Sequence, residues 1–253
     1  MTQGELLRLD GVEKRFGETV ALQQSTISIE RGSFVSIVGP SGCGKSTLFN
    51  VVAGLLKPEK GDVLLDGKSV VGTTGHVGYM LQKDLLVPWR TVLGNITLGA
   101  RLTRRVTPKD REQAVSAATR YGLGDFLNHY PGSLSGGMRQ RVALMRTLAL
   151  NQPLLLLDEP FGALDAQTRF EMQQWLLQVW RDSERTVLFI THDVDEAVFL
   201  SDRVLVMSPR PGRVVDDLSI DLPRPRTLET LTSPAFTDLK ARILKELHSE
   251  RNA

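Results

Sequence analysis

The run Gly39-Pro40-Ser41-Gly42-Cys43-Gly44-Lys45-Ser46-Thr47 carries the spacing G-x-x-x-x-G-K-[ST]. That spacing marks a phosphate-binding loop when a strand precedes it and a helix follows. Ser33 to Val38 reads as a buried strand, and Leu48 to Leu55 as a helix that ends near Lys57-Pro58. The glycines let backbone N–H groups curl round an anion, and the helix adds the positive end of its dipole. Lys45 is placed to bridge the β- and γ-phosphates of a nucleotide, and Ser46 to ligate Mg²⁺. Cys43 reads as a spacer, because the backbone does the binding. A ligand-free strand–helix turn is the bland alternative, and the complete context argues against it.

Further along, Leu154 to Leu157 delivers two carboxylates, Asp158 and Glu159. Strands of α/β sheets present ligand groups at that end. Asp158 would hold Mg²⁺ through water and Glu159 would polarise an attacking water, since phosphoryl transfer depends on positioning and charge neutralisation. Other positions are open to structural readings. Ser135, before Gly136 and Gly137, could be a plain helix N-cap. Asp193 with Glu196 fits a capping box, which would make His192 an ordinary residue before a helix. Phe16 could be core.

These groups need a scaffold. Ser25 to Glu30 alternates polar and apolar, as a half-exposed antiparallel strand does. Val63 to Leu65 and His76 to Leu81 read as strands, with Asp66-Gly67 as the turn between them. From about 91 to 149 the character is helical, with Ala114 to Tyr121 and Met138 to Ala149 carrying i, i+3, i+4 apolar spacing. Leu154 to Leu157, Thr186 to Ile190 and Arg203 to Met207 are continuous apolar runs, the pattern of parallel strands buried on both faces. A helix at Phe170 to Val179 lies between the first two of these runs. The alternation implies an α/β sheet with a helical subdomain inserted at about 91–149. Residues 226–253 form a tail whose amphipathic helix (Phe236, Leu239, Ile243, Leu244, Leu247) should pack on a domain spanning 1–225.

Composition narrows the class. With 41% hydrophobic and 24% charged residues the chain is an ordinary globular one, which excludes collagen-like and disordered readings. No run reaches the roughly 18 apolar residues of a membrane span, and Met1 to Glu5 shows no secretory leader. Cys43 is the single cysteine, so no internal disulfide forms and a reducing cytoplasm fits. The densest basic stretch, Arg101, Arg104, Arg105, Lys109 and Arg111, lacks interleaved aromatics and reads as a solvated face, not a nucleic-acid site.

Leu134-Ser135-Gly136-Gly137-Met138-Arg139-Gln140 is similar to the signature sequence of the ATP-binding cassette (ABC) family. Gln82 resembles that family's Q-loop glutamine, and Gly162-Ala163-Leu164-Asp165 its D-loop, with Gly162 where serine is common. Thr191-His192-Asp193 resembles the switch-histidine motif, and Phe16 before Val20-Ala21-Leu22 the aromatic that stacks on adenine. The resemblance covers about residues 5–225. It implies a P-loop NTPase (RecA-like) core with an antiparallel β subdomain and an inserted helical one. It also implies ATP and Mg²⁺ as cofactors, with Gln82 reaching the metal beside Ser46 and Asp158. Two cassettes would face head to tail, so that Ser135 and Gly137 of one meet the γ-phosphate held by Lys45 of the other.

Gln82 to Val92 and Asp158 to Arg169 resemble importer ATPases of the nitrate, sulfonate and taurine group. Glu171-Met172-Gln173-Gln174-Trp175-Leu176 and the Lys83-Asp84 pair resemble the branch that imports the pyrimidine precursor of thiamine. The implied partners are a second copy of the chain, transmembrane permease subunits and, indirectly, an extracytoplasmic substrate-binding protein. The implied place is the cytoplasmic face of the inner membrane, and no nucleic acid is expected. An exporter subunit is the nearest alternative. A DNA- or ribosome-directed ABC ATPase would need a long arm between Gln82 and Ser135, or a second cassette. Trp89, beside Pro88, reads equally well as an interface anchor or as core.

Overall fold

The structure, a computed structural model, describes residues 4–103 and 105–250. Met1 to Gln3 and Arg104 of the basic stretch lie outside the described residues. β1 (Glu5–Phe16) and β2 (Thr19–Glu30) form a long antiparallel hairpin, and β3 (Phe34–Val38) leads through the phosphate loop into α1 (Lys45–Val52). β4 (Lys60–Leu65), β5 (Lys68–Ser69) and β6 (Gly78–Met80) follow. The helical block holds α2 (Val92–Ile96), α3 (Leu98–Thr103), α4 (Pro108–Arg120) and α5 (Gly136–Leu148). The chain continues as β7 (Leu154–Asp158), α6 (Ala166–Ser183), β8 (Thr186–Ile190), α7 (Val194–Leu200), β9 (Arg203–Met207) and β10 (Val214–Ser219). It closes with α8 (Leu228–Leu231) and α9 (Pro234–Ser249).

One sheet is antiparallel with order β2-β1-β4-β5; the other has order β10-β9-β3-β8-β7-β6 and is parallel except for β10. The second sheet is sandwiched. Successive residues of a strand point to opposite faces. Val35, Ile37, Leu154, Leu156, Leu188 and Ile190 join α1 and the antiparallel sheet in one core. Phe34, Leu155, Leu157, Val187 and Phe189 join α5, α6 and α7 in the other. Both faces being covered explains why these strands read as unbroken apolar runs.

Several element boundaries differ from those read in the sequence. α1 begins at Lys45, not Leu48, because the phosphate loop supplies its N-terminus: Gly44 is the cap, and its carbonyl accepts from Leu48 N at 2.8 Å. Asp66-Gly67 does not join the strands at 63–65 and 76–81. Both residues adopt positive φ (50° and 71°), the geometry of a two-residue hairpin turn, so the chain folds straight back as β5. β6 belongs to the other sheet. α4 starts earlier, at a capping box of Thr107 and Asp110 with Pro108 in its first turn. In α9, Phe236 and Ile243 are buried and the helix lies on α7 and β9, but Leu244 is 46% exposed. Leu244 sits one residue, about 100°, off the stripe set by Phe236 and Ile243.

Candidate active site

Because β3, β8, β7 and β6 run in the same direction, their C-terminal ends meet along one edge. Four loops therefore arrive together: the phosphate loop, Thr191-His192, Asp158-Glu159 and Leu81-Gln82. β8 lies between β3 and β7, which sets His192 between the phosphate loop and the carboxylates.

The phosphate loop is built by its glycines. Gly42 and Gly44 sit at φ 76° and 111°, conformations that L side chains rarely adopt. At Gly44 a Cβ would also lie 2.8 Å from the Ala21 carbonyl. Lys45 is 7% exposed and donates from Nζ to the Gly39 and Pro40 carbonyls at 2.7 and 3.1 Å, so its charge is held inside the loop. Cys43 is buried, with Sγ 3.8 Å from Lys45 Nζ. Pro40, Ser41 and Thr47 complete the loop, and Ser41 and Ser46 are exposed.

At the end of β7, the Asp158 carboxylate lies beside the Ser46 hydroxyl. Burial pushes the Asp158 carboxyl up; the neighbouring Ser46 hydroxyl opposes this, the Glu159 charge adds to it and the Lys45 charge subtracts. A hydroxyl beside a carboxylate makes a pair of hard oxygen donors, a set that suits Mg²⁺ completed by phosphate oxygens. Glu159, at φ 45°, is pinned by its N–H to the Ile190 carbonyl at 2.9 Å. Its Oε2 accepts from Gln82 Nε2 at 3.1 Å and lies 3.2 Å from His192 Nδ1. Two residues, from the ends of β6 and β8, thus converge on one carboxylate oxygen at the end of β7.

The remaining predicted residues lie apart from this cluster. Ser135 is the N-cap of α5, exposed, with Oγ accepting from Met138 N at 3.3 Å. Gly136 is half-buried, and Gly137 is buried against α6, where a Cβ would come 2.9 Å from Thr168 Cγ2. Asp165 is the exposed N-cap of α6. Phe16 is 50% exposed at the tip of β1, with Lys14 Nζ 5.5 Å from its ring centre. Among the described residues no hydrogen bond joins these positions to the Gln82–Glu159–His192 cluster. The Asp193–Glu196 capping box is half made. Asp193 caps α7, but the Glu196 carboxylate turns to Thr191 Oγ1 (2.6 Å) and Gln173 Nε2 (3.2 Å).

The structure also assigns supporting roles to residues that the sequence reading passed over. Tyr79 stands beside Asp158, and its hydroxyl is pushed up by burial and by that carboxylate. Asn95, fully buried in α2, accepts from Val87 N and donates to the carbonyls of Val87, Arg90 and Thr91. Arg146 donates to the Asp84 and Leu85 carbonyls at 2.6 and 2.7 Å, and Arg139 lies 3.3 Å from Asp84. The loop after Gln82 is therefore fastened to the helix that Ser135 opens. The one sequence signal for Asn95 is a polar residue amid Val92, Leu93 and Ile96; a long-range partner such as Arg146 has none.

The profile described as ABC transporter matches residues 22–162, more than half of the chain. The chain belongs to the ABC transporter family. A putative ATP-binding protein of Brucella abortus is 44% identical over 97% of this chain and 94% of its own length. The taurine import ATP-binding protein TauB of Yersinia pestis is 44% identical over 85% of each chain. A dimeric post-hydrolysis state of the ATP-binding cassette MJ0796, bound to ADP and Pi, superposes with a TM-score of 0.73 at 31% identity. It is covered completely and covers 86% of this chain. This ABC cassette is an ATPase with a P-loop NTPase fold, and among its described residues no helix is long and apolar enough to cross a membrane. The string resembling the pyrimidine-precursor branch is largely packing, since Met172, Gln173, Trp175 and Leu176 are all buried on α6.

Proposed function

We propose that this cassette energises an importer of taurine or a related small sulfonate, working as a head-to-tail pair at the cytoplasmic face of the inner membrane. The observation that carries the catalytic part is the convergence of Gln82 and His192 on Glu159 Oε2, one residue beyond Asp158. In this reading the Gly39–Thr47 backbone and Lys45 hold the ATP phosphates, and Phe16 offers its exposed face to adenine. Ser46 and Asp158, with Gln82 nearby, would hold Mg²⁺, which would supply positive charge to offset the negative charge building up on the phosphates. Glu159 orients and polarises the attacking water, and Gln82 and His192 fix that carboxylate's direction. Ser135, Gly136 and Gly137 at the start of α5, and the exposed Asp165 at the start of α6, belong to the site of the partner copy. A glycine-led helix N-terminus presents N–H donors to an anion, which suits Ser135-Gly136-Gly137 to a γ-phosphate.

The domain boundaries we adopt are 1–225 for the ATPase, with the helical subdomain at about 91–149, and 226–253 for the tail. Permease subunits would dock where the chain around and after Gln82 shows apolar surface: Leu81, Leu85 and Trp89 are 40%, 55% and 77% exposed. Substrate choice lies with an extracytoplasmic binding protein that meets the permease, and no nucleic acid takes part. The support for a sulfonate is the name of the relative TauB. The test is ATP hydrolysis by the complete transporter in proteoliposomes. We expect taurine-loaded binding protein to stimulate it. Stimulation by a pyrimidine alone would reassign the substrate, and stimulation by a solute on the cassette side would turn importer into exporter.

A further inference from the structure

The segment Ser208–Arg213, between β9 and β10, lies outside residues 22–162. It nevertheless grips the phosphate loop. Arg210, an exposed side chain, donates from Nε and Nη2 to the Gly42 carbonyl at 3.2 and 3.0 Å. Two residues on, Gly212 runs so close to the next carbonyl, that of Cys43, that a Cβ there would overlap its oxygen. Gly212 is itself fixed: its N–H donates to the Ala21 carbonyl at 3.0 Å, and its own carbonyl accepts from Gln23 N at 2.9 Å. Ser208 closes the turn, its Oγ donating to the Pro209 and Pro211 carbonyls and accepting from Arg213 N.

Two consecutive carbonyls of the phosphate loop therefore face this segment. In a planar trans peptide the N–H points away from the C=O. Holding the Gly42 and Cys43 carbonyls outward turns the N–H groups of Cys43 and Gly44 inward, where phosphate oxygens are bound. The Cys43 N–H closes the Pro40–Cys43 turn, donating across the loop to the Pro40 carbonyl at 3.3 Å. We propose that Arg210 and Gly212 form an outer strut that orients these two amides of the phosphate loop and so sets nucleotide affinity. A loop rich in glycine has many conformations to lose on binding, and an external strut removes that loss beforehand. Arg210 is on this account a positioning residue, acting through the Gly42 carbonyl. Its positive charge at the outer rim also favours the polyphosphate.

The inference rests on the phosphate-loop reading, and the experiment separates the two. MgADP is titrated into the purified full-length chain, into Arg210→Ala, Arg210→Lys and Gly212→Ala, and the nucleotide-free melting temperature of each is measured. Removing a pair of charge-assisted hydrogen bonds that is partly open to water should raise Kd for ADP about fivefold or more. For Arg210→Ala we expect that rise without a shift in melting temperature, and for Arg210→Lys, which keeps one donor and the charge, a smaller one. Gly212→Ala, which forces a side chain against the Cys43 carbonyl, should weaken ADP further. In ATP hydrolysis the Arg210→Ala defect should appear mainly in KM. An unchanged Kd in Arg210→Ala overturns the strut, as does a raised Kd that appears only with a lowered melting temperature. A wild-type chain that fails to bind ADP would overturn the phosphate-loop reading along with it.

Discussion

Replacing Glu159 by Gln keeps the size and one acceptor oxygen of the side chain and removes its charge. The structure makes the two consequences separable. Folding loses little, because an amide oxygen still accepts from Gln82 Nε2, now at 3.1 Å from the carboxylate, and the backbone N–H still reaches the Ile190 carbonyl. Exchanging a charge-assisted for a neutral hydrogen bond at a side chain 20% exposed costs about 1 kcal/mol or less. For a chain of this size that is a melting-temperature change within about 4 °C. Catalysis loses much more, since a positioned general base contributes about 10²–10⁴-fold, or roughly 2.7–5.4 kcal/mol of barrier. The assay is phosphate release at saturating MgATP, with ATP binding and melting temperature measured on the same preparation. We expect at least about a hundredfold fall in turnover with ATP still bound, and an ATP-held dimer visible by size-exclusion chromatography. Turnover within about fivefold of wild type in a folded, ATP-binding variant would refute the role given to Glu159.

Three further outcomes follow from the same geometry. If sites are shared as proposed, mixing a Ser135→Arg chain with a Lys45→Ala chain would leave one composite site with both faces intact, so ATPase activity should partly return; silence in a verified heterodimer would exclude sharing of sites. Trp89 is 77% exposed, so Trp89→Ala should leave the melting temperature and basal hydrolysis unchanged while weakening permease binding by about 2 kcal/mol, roughly thirtyfold. Equal permease affinity of variant and wild type would remove Trp89 from the interface. Burial raises the Glu196 carboxyl, ahead of the opposing hydrogen bond from Thr191, so its charged form is disfavoured in the folded state. Relative to Glu196→Gln, wild type should then gain stability as pH falls from about 7 towards its ordinary range near 4.5, seen as converging or crossing denaturation midpoints. A difference that is flat with pH, or that widens against wild type on acidification, would contradict that sign.

The sequence by itself determined the chemistry and the class of fold. Phosphate binding needs glycines at fixed spacings before a lysine and a hydroxyl, and a strand buried on both faces must be apolar without alternation, so Gly39 to Thr47 and Leu154 to Glu159 were legible locally. Helix caps such as Thr107 with Asp110 were local too, but Pro108 in the first turn hid the start of α4 from a reading based on apolar period. What only the tertiary structure decided is which distant groups meet. Arg146 on the Asp84 carbonyl, Tyr79 on Asp158 and Arg210 on Gly42 are pairings across a sheet order in which chain neighbours are not spatial neighbours. Trp89 stood equally as core or surface in the sequence, because an aromatic after proline satisfies either; the buried Asn95, by holding Val87, Arg90 and Thr91, fixes the loop that carries it outward. A hydrogen bond between remote segments leaves no period in either one, so its partners become visible only when the fold has brought them within reach.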